Sequence, residues 1–339
     1  MGRARNEEKD KLERGGSSSM ARAVACVSLA MLSSSYPVLV SLAKGPGGEF
    51  NLDVTTIPFV AEIVKLLVCI LAVIFGESGL SALHAGAFGA DRVRLLTFAV
   101  PAALYVVKNS IDTLSLKKID PPTFQLLGNL KFVTTAVCLR LLLQKRLNDG
   151  KWAAVLLLCC SCSMQVAADC GSMQGAEELG SFDAGQLPGV VMVIVACLLS
   201  SLAGVYNEKL LKQHNTAGSS IYVNNVFLYG WGIVLNSGVR IAVRGVSGVS
   251  GILQGYNIFA WMAVANLALM GLTVSYVILH LDNLAKLFAG SMAMVSSTLL
   301  SGWLMHTDVT MFRCLTIVSV SLATYFYGAN TGEMFCDDT

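Results

Sequence analysis

Apolar runs of about twenty residues, parted by short stretches of charged residues, Gly, Pro and Asn, recur along nearly the whole chain. A run of that length spans the hydrocarbon core of a bilayer as one α-helix. The pattern predicts ten such helices, near residues 22–43, 56–76, 93–111, 121–143, 151–169, 187–210, 219–240, 256–280, 283–304 and 308–328. Ahead of them, residues 1–21 are charged and then Gly/Ser-rich, which predicts a disordered tail. No cleavable signal pattern precedes the first run, so it is expected to stay as a signal-anchor. Residues 329–339 form a second short tail. The fold class predicted is all-α integral membrane.

Composition agrees. The chain is 54% hydrophobic and 14% charged, where a soluble chain carries about 25% charged residues. Its net charge of +2 points to no nucleic acid, and lipid is the partner implied. Most of the ten cysteines sit in or beside apolar runs, Cys69, Cys159, Cys162 and Cys197 among them, and read as small packing residues. No cysteine pair has metal-ligand spacing with histidines, so no metal or cofactor is implied. Lys and Arg outside the runs gather in the N-terminal tail and the even-numbered loops (Arg92, Arg94, Lys145, Arg146, Lys151, Lys209, Lys212). The positive-inside rule then places both termini in the cytosol. The acidic loop with Glu177, Glu178 and Asp183 falls on the opposite side.

The densest chemistry lies between Asp120 and Trp152. Within one membrane-length run stand Gln125, Gly128, Asn129, Lys131, Thr134 and Thr135. At 3.6 residues per turn Phe124, Gly128, Lys131 and Thr135 share a face. A lysine at such depth costs about 2.5–3.5 kcal/mol on insertion scales. One reading is a ring and a cation lining an aqueous cavity. The other is a snorkelling lysine with Gly and Thr used for helix packing.

A repeat supports the first reading. With Asp120 set on Asp282, Gly128 meets Gly290 and Thr134-Thr135 meets Ser296-Ser297. By the topology above the two helices run in opposite directions, so the chain divides into five-helix repeats at 22–175 and 176–328. Inverted repeats of this kind are a transporter signature, with the site near the midplane. The ninth run places Asn283, Lys286, Gly290, Ser297 and Ser301 roughly on one face, although Lys286 lies close enough to the helix start to snorkel. Two lysines facing one cavity suit a dianion, because an ammonium binds phosphate as a point charge. Other polar residues inside the runs are Glu62 and Lys65, spaced to pair, Lys108 and Asn109 after Tyr105, Tyr206 and Asn207, and Asn224, Asn225 and Tyr229. Asn225 and Tyr229, at i and i+4, suit hydrogen bonding to a nucleobase or stacking on it. No HExxH, GxSxG or paired carboxylates at one depth occur, and no enzyme is expected.

The pieces FVAEIVKLLV, FQLLGNLKFVTTA, GVYNEKLLK, VNNVFLYG and LDNLAKLFAG resemble the nucleotide-sugar transporter family. The likeness is to the branch of UDP-galactose, UDP-N-acetylglucosamine and CMP-sialic acid transporters, plant-type members in particular. It implies the ten-helix drug/metabolite transporter fold. The function implied is exchange of a cytosolic UDP- or CMP-linked sugar for a lumenal nucleoside monophosphate across the Golgi membrane, and a homodimer is compatible with it. Carried over, Lys131 and Lys286 would bind phosphate, and Lys65 would face the sugar or phosphate end. Asn109, Asn225, Tyr229 and Ser275 would contact the nucleotide. Phe124 stands where many relatives have a stacking Tyr, and Gln125 and Tyr206 complete the candidate set. Asn224 stands where animal relatives have Arg, and Leu279 where they often have Lys. The alternative is a drug or phosphorylated-metabolite carrier of the same superfamily without base recognition.

Overall fold

The computed structural model describes residues 2–44, 52–53, 56–76, 92–115, 118–119, 121–171, 186–216, 220–245, 252–305 and 311–332. The acidic loop with Glu177, Glu178 and Asp183 lies outside them, as do the side chains of Ser297 and Ser301 and residues 333–339. Eleven helices are present among the described residues: α1 (Gly2–Leu42), α2 (Thr56–Phe75), α3 (Arg92–Ser115), α4 (Pro121–Gly128), α5 (Leu130–Leu142), α6 (Asp149–Gly171), α7 (Leu187–Thr216), α8 (Ile221–Arg244), α9 (Ile258–His280), α10 (Asn283–Met305) and α11 (Met311–Gly332). Only Asn129 separates α4 from α5, so they form one broken rod and the described residues make ten rods.

Two features differ from the sequence reading. The N-terminal stretch expected as a disordered tail is an extension of α1, which starts at Gly2; its charged first part, rich in Glu, Lys and Arg, loses little in a helix, whereas the Gly/Ser part has no such preference. The fourth span is divided, where one continuous helix over 121–143 was expected. Around the break the backbone turns through Asn129 N–H to Leu126 O (3.2 Å) and Phe132 N–H to Asn129 O (3.1 Å). Carbonyls freed from a helical ladder inside a membrane need donors from the protein. Cys197 Sγ lies 3.7 Å from the Leu127 and Gly128 oxygens, Cys159 Sγ 3.6 Å from that of Asn129, and Ser201 Oγ donates to Lys131 O at 3.4 Å. Donors on α6 and α7 thus permit the break.

Other ends are set locally. Ser220 caps α8 by accepting from Tyr222 N–H (3.3 Å), and Asn257 caps α9 by accepting from Ala260 N–H (2.9 Å). Gly245, at φ 70°, closes α8 with its N–H on Ile241 O; that φ favours a residue without a Cβ.

Among the described residues five helical stretches are long and apolar enough to cross a bilayer on length and composition alone: Met20–Leu42, Thr56–Phe75, Leu187–Asn215, Ile221–Val243 and Ile258–His280. Among the others, α3 carries Lys108 and Asp112, the fourth rod is broken and carries Lys131, and α10 carries Lys286. The outer surface is nevertheless apolar: Leu67, Leu141, Leu156 and Leu269 are each more than half exposed. Such a belt suits lipid rather than water.

The most extensive helix pairings are α3 with α7 and α8, α6 with α11, α1 with α9 and α10, α2 with α8 and α9, and α5 with α7. One core fills the end where α5, α6, α7, α10 and α11 meet, around Leu139, Leu158, Val205, Leu284 and Phe288. A second, around Ile57, Ala61, Ala260 and Ala263, binds α1, α2 and α9 at the other end.

Candidate functional site

Between these cores a polar cavity opens among α2, α3, α7, α8 and α9. Its inner part, about 290 Å³, is lined by Glu62, Lys65, Tyr105, Asn109, Asn207, Tyr229, Gly271 and Ser275, with Ala102, Leu228 and Ile278. It shares Glu62, Val106, Asn109 and Asn236 with an outer part of about 480 Å³. The outer part reaches Pro58 and Phe59 at the start of α2, Thr113 and Leu114 near the end of α3 and Val243 at the end of α8. Each part is of the size that holds a small ligand. A larger crevice of about 600 Å³ lies between α1, α10 and α11, but its wall, with Cys26, Met31, Phe288 and Met292, offers little polar chemistry.

Within the inner cavity Lys65 Nζ is 2.5 Å from Glu62 Oε1 and 4.4 Å from the centre of the Tyr229 ring. The pair the spacing predicted is therefore present, and Lys65 covers one face of Tyr229. The Tyr229 hydroxyl is 3.2 Å from Ser275 Oγ and donates toward Gly271 O at 3.3 Å. Gly271 makes room for the Lys65 side chain, since a Cβ there would stand 2.6 Å from Lys65 Cδ and displace it.

Lys131 and Lys286 stand beside this cavity rather than in its wall. They are within electrostatic reach of each other and of Lys108, the neighbour of Asn109. Lys108 is paired with Asp112 at 2.5 Å. Among the described residues neither Lys131 nor Lys286 has a carboxylate within ion-pair distance. Lys131 instead lies 5.5 Å from the Phe132 ring centre. Between the broken rod and α7, Thr134 and Thr135 share Ser201 Oγ at 2.6 and 2.9 Å.

Four sequence candidates, Lys65, Asn109, Tyr229 and Ser275, thus meet around one space. The remaining ones are placed elsewhere. Phe124 packs against Ile119, Val190, Val193 and Cys197, and Gln125 is exposed. Tyr206 joins Val73, Phe98 and Phe227. Asn225 is 1% exposed and abuts Cys69 of α2. Asn207, next to the tyrosine singled out from sequence, is the residue that lines the cavity. Asn236 was also missed; only its position two turns past Tyr229 on α8 could have signalled it.

The end of the bundle away from the outer cavity is tied shut. Glu208, with a fully buried side chain, meets Lys145 Nζ at 2.9 Å and Lys212 Nζ at 2.8 Å. Its other oxygen accepts from Asn283 N–H at 2.8 Å, and Lys212 also donates to Leu281 O at 2.5 Å. Asp282 caps Ala285 N–H at 2.7 Å and accepts from the Tyr327 hydroxyl at 2.6 Å. The left-handed backbone of Gln144, φ 53°, precedes Lys145. Burial of Lys145 acts to lower its pKa, but the carboxylates of Glu208 and Asp282 outweigh it and hold that pKa above the ordinary lysine value. At the opposite end Arg240 meets Asp53 at 3.2 Å and Thr56 meets the Tyr256 hydroxyl at 2.7 Å. Among the described residues no group of His, Cys, Asp or Glu is placed to hold a metal ion.

The site can therefore take a ligand with polar edges in the cavity and negative charge beside it. Comparisons with known proteins agree in kind. Residues 17–328 match the family model described as nucleotide-sugar transporter. CMP-sialic acid transporter 1 of Oryza sativa subsp. japonica is 33% identical over 310 residues, covering 89% of this chain and 93% of the relative. CMP-sialic acid transporter 1 of Arabidopsis thaliana is 31% identical over 90% of this chain and 89% of its own length. The human UDP-N-acetylglucosamine transporter is 32% identical over 81% of this chain and 84% of its own length. One solved crystal structure shares the fold with a TM-score of 0.65 at 14% identity, covering 93% of this chain and 99% of that one. The chain belongs to the nucleotide-sugar transporter family.

Proposed function

We propose that this multi-pass membrane protein exchanges a UDP- or CMP-linked sugar for the corresponding nucleoside monophosphate across the Golgi membrane, with both termini in the cytosol. The observation that carries the exchange step is the pair Lys131 and Lys286, which have no ion-pair partner among the described residues. Each such cation costs about 2.5–3.5 kcal/mol at membrane depth. A nucleotide sugar or a nucleoside monophosphate brings close to two negative charges, so either compensates both lysines. The empty carrier holds the charges uncompensated and crosses slowly, which favours exchange over leak.

The helix pairings fit two repeats related by a pseudo-two-fold. Exchanging the first five rods for the last five turns α3 with α7 into α9 with α1, and α3 with α8 into α9 with α2. It maps α2 with α8 and α6 with α11 onto themselves. Rocking of one half on the other would then close the outer cavity and open the end held by Glu208. Under the proposed orientation that end faces the cytosol, so the conformation described faces the lumen. The relatives' names point to the substrate classes, CMP-sialic acid and UDP-N-acetylglucosamine.

The test is uptake of a panel of labelled nucleotide sugars into liposomes holding the purified protein and trapped CMP or UMP. Uptake of a pyrimidine nucleotide sugar that needs the matching trapped nucleotide is expected. Exclusion of every nucleotide sugar by folded protein would overturn the reading.

A further inference from the structure

We propose that Asn207 is a ligand-binding residue, its side-chain carbonyl accepting a hydrogen bond from an N–H on the edge of the bound base; this rests on the nucleotide reading above. Asn207 is 4% exposed and its Oδ1 has no hydrogen-bond partner among the described residues. A buried carbonyl left unmet is a standing cost unless something fills it. This one lies in the wall of the inner cavity.

The surrounding wall favours a planar ring at that position. Tyr105 and Tyr229 supply aromatic surface, Leu228, Val274 and Ile278 apolar surface, and Gly232 adds no side chain to the wall. The charges in this wall, Glu62 and Lys65, are paired with each other, and Lys131 and Lys286, without an ion-pair partner among the described residues, stand beside it. The position of Asn207 on α7 joins the two regions. Gly204, one turn earlier, faces Asn283 of α10, where a Cβ would lie 2.5 Å from Asn283 Nδ2, and Lys286 follows one turn along α10. A nucleotide whose base fills the inner cavity therefore directs its phosphates past this turn of α7 toward the lysines.

The chemistry also sets what Asn207 can discriminate. Cytosine offers a donor beside an acceptor on its pairing edge, and uracil offers the same two groups in the other order. A primary amide carries both complements and serves either base by turning over. Asn207 thus recognises the presence of a pyrimidine edge and not which pyrimidine it is.

The experiment is thermal stability of the purified full-length protein, titrated with CMP, UMP and inorganic pyrophosphate, for the wild type, Asn207→Leu and Asn207→Ser. Leu has nearly the same size and no polar atom, so the ligand-free Asn207→Leu protein is expected to melt at or above the wild-type temperature. Its affinity for CMP and UMP is expected to fall about tenfold or more, since a buried hydrogen bond is lost, with pyrophosphate binding unchanged. Asn207→Ser, which keeps a shorter acceptor, is expected to fall between. Wild-type affinity for both nucleotides in Asn207→Leu would overturn the proposal. So would a lower ligand-free melting temperature together with equal loss of pyrophosphate and nucleotide binding, the mark of a structural asparagine. Failure of the wild type to bind either nucleotide would instead contradict the nucleotide reading itself, and the wild-type titration alone reports it.

Discussion

Lys65 and Lys131 show how one residue type takes two roles at similar depth. Lys65 is 7% exposed, paired with Glu62 and laid over Tyr229, so its charge is met within the protein. Lys131 lies near the Phe132 ring and has no carboxylate within ion-pair distance among the described residues, and under the exchange reading proposed above its charge is met by the ligand. The pairing of Lys65 was legible, because i, i+3 spacing puts both groups on one face. The choice between Tyr206 and Asn207 was not. Adjacent helical residues point about 100° apart, and without a fixed helix phase the larger aromatic drew the prediction. Gly271 tests the arrangement around Lys65. In Gly271→Ala the new Cβ meets the Lys65 aliphatic chain at 2.6 Å, so the ammonium is pushed off Tyr229. Nucleotide-sugar uptake is expected to fall severalfold with little change in expression or melting temperature. Wild-type uptake would show that the position of Lys65 is immaterial.

At the scale of elements, most rods could be placed because each is an apolar run of membrane length bounded by charge, Gly or Pro. The division of the fourth rod could not. Gly128-Asn129 reads equally well as a helix-packing pair, and the groups that permit the break, Cys159, Cys197 and Ser201, lie on other helices far along the chain. The start of α1 was also misjudged, since charge and low hydropathy exclude a buried core but do not exclude a helix. Ser201, 1% exposed, is shared by Thr134, Thr135 and the Lys131 carbonyl. Ser201→Ala should therefore cost about 1–3 kcal/mol, the penalty of unmet buried partners, and lower the melting temperature. An unchanged melting temperature would mean that the break is held by other groups.

For the whole molecule, the two ends of the bundle differ in the way a carrier facing one side requires. The end around Glu208 is closed by charges and hydrogen bonds that join α7, α10, α11 and the loop carrying Lys145. The other leaves the cavity continuous to the ends of α2, α3 and α8. Opening the first end means separating a fully buried carboxylate from two lysines, and breaking such a buried pair costs several kcal/mol. Under the exchange reading proposed above, ligand charge on Lys131 and Lys286 offsets the membrane cost of the crossing, so the loaded carrier crosses faster than the empty one. The most direct test is the flux of labelled nucleotide sugar into liposomes with and without trapped nucleoside monophosphate, for the wild type, Lys131→Met and Lys286→Met. Wild-type flux is expected to be at least about tenfold greater with trapped nucleotide, because the loaded carrier spares the cost of two bare cations, and each variant is expected to lose most of the exchange. Equal flux from loaded and empty vesicles, or full exchange in both variants, would contradict the assignment of these two lysines as the charges the ligand compensates.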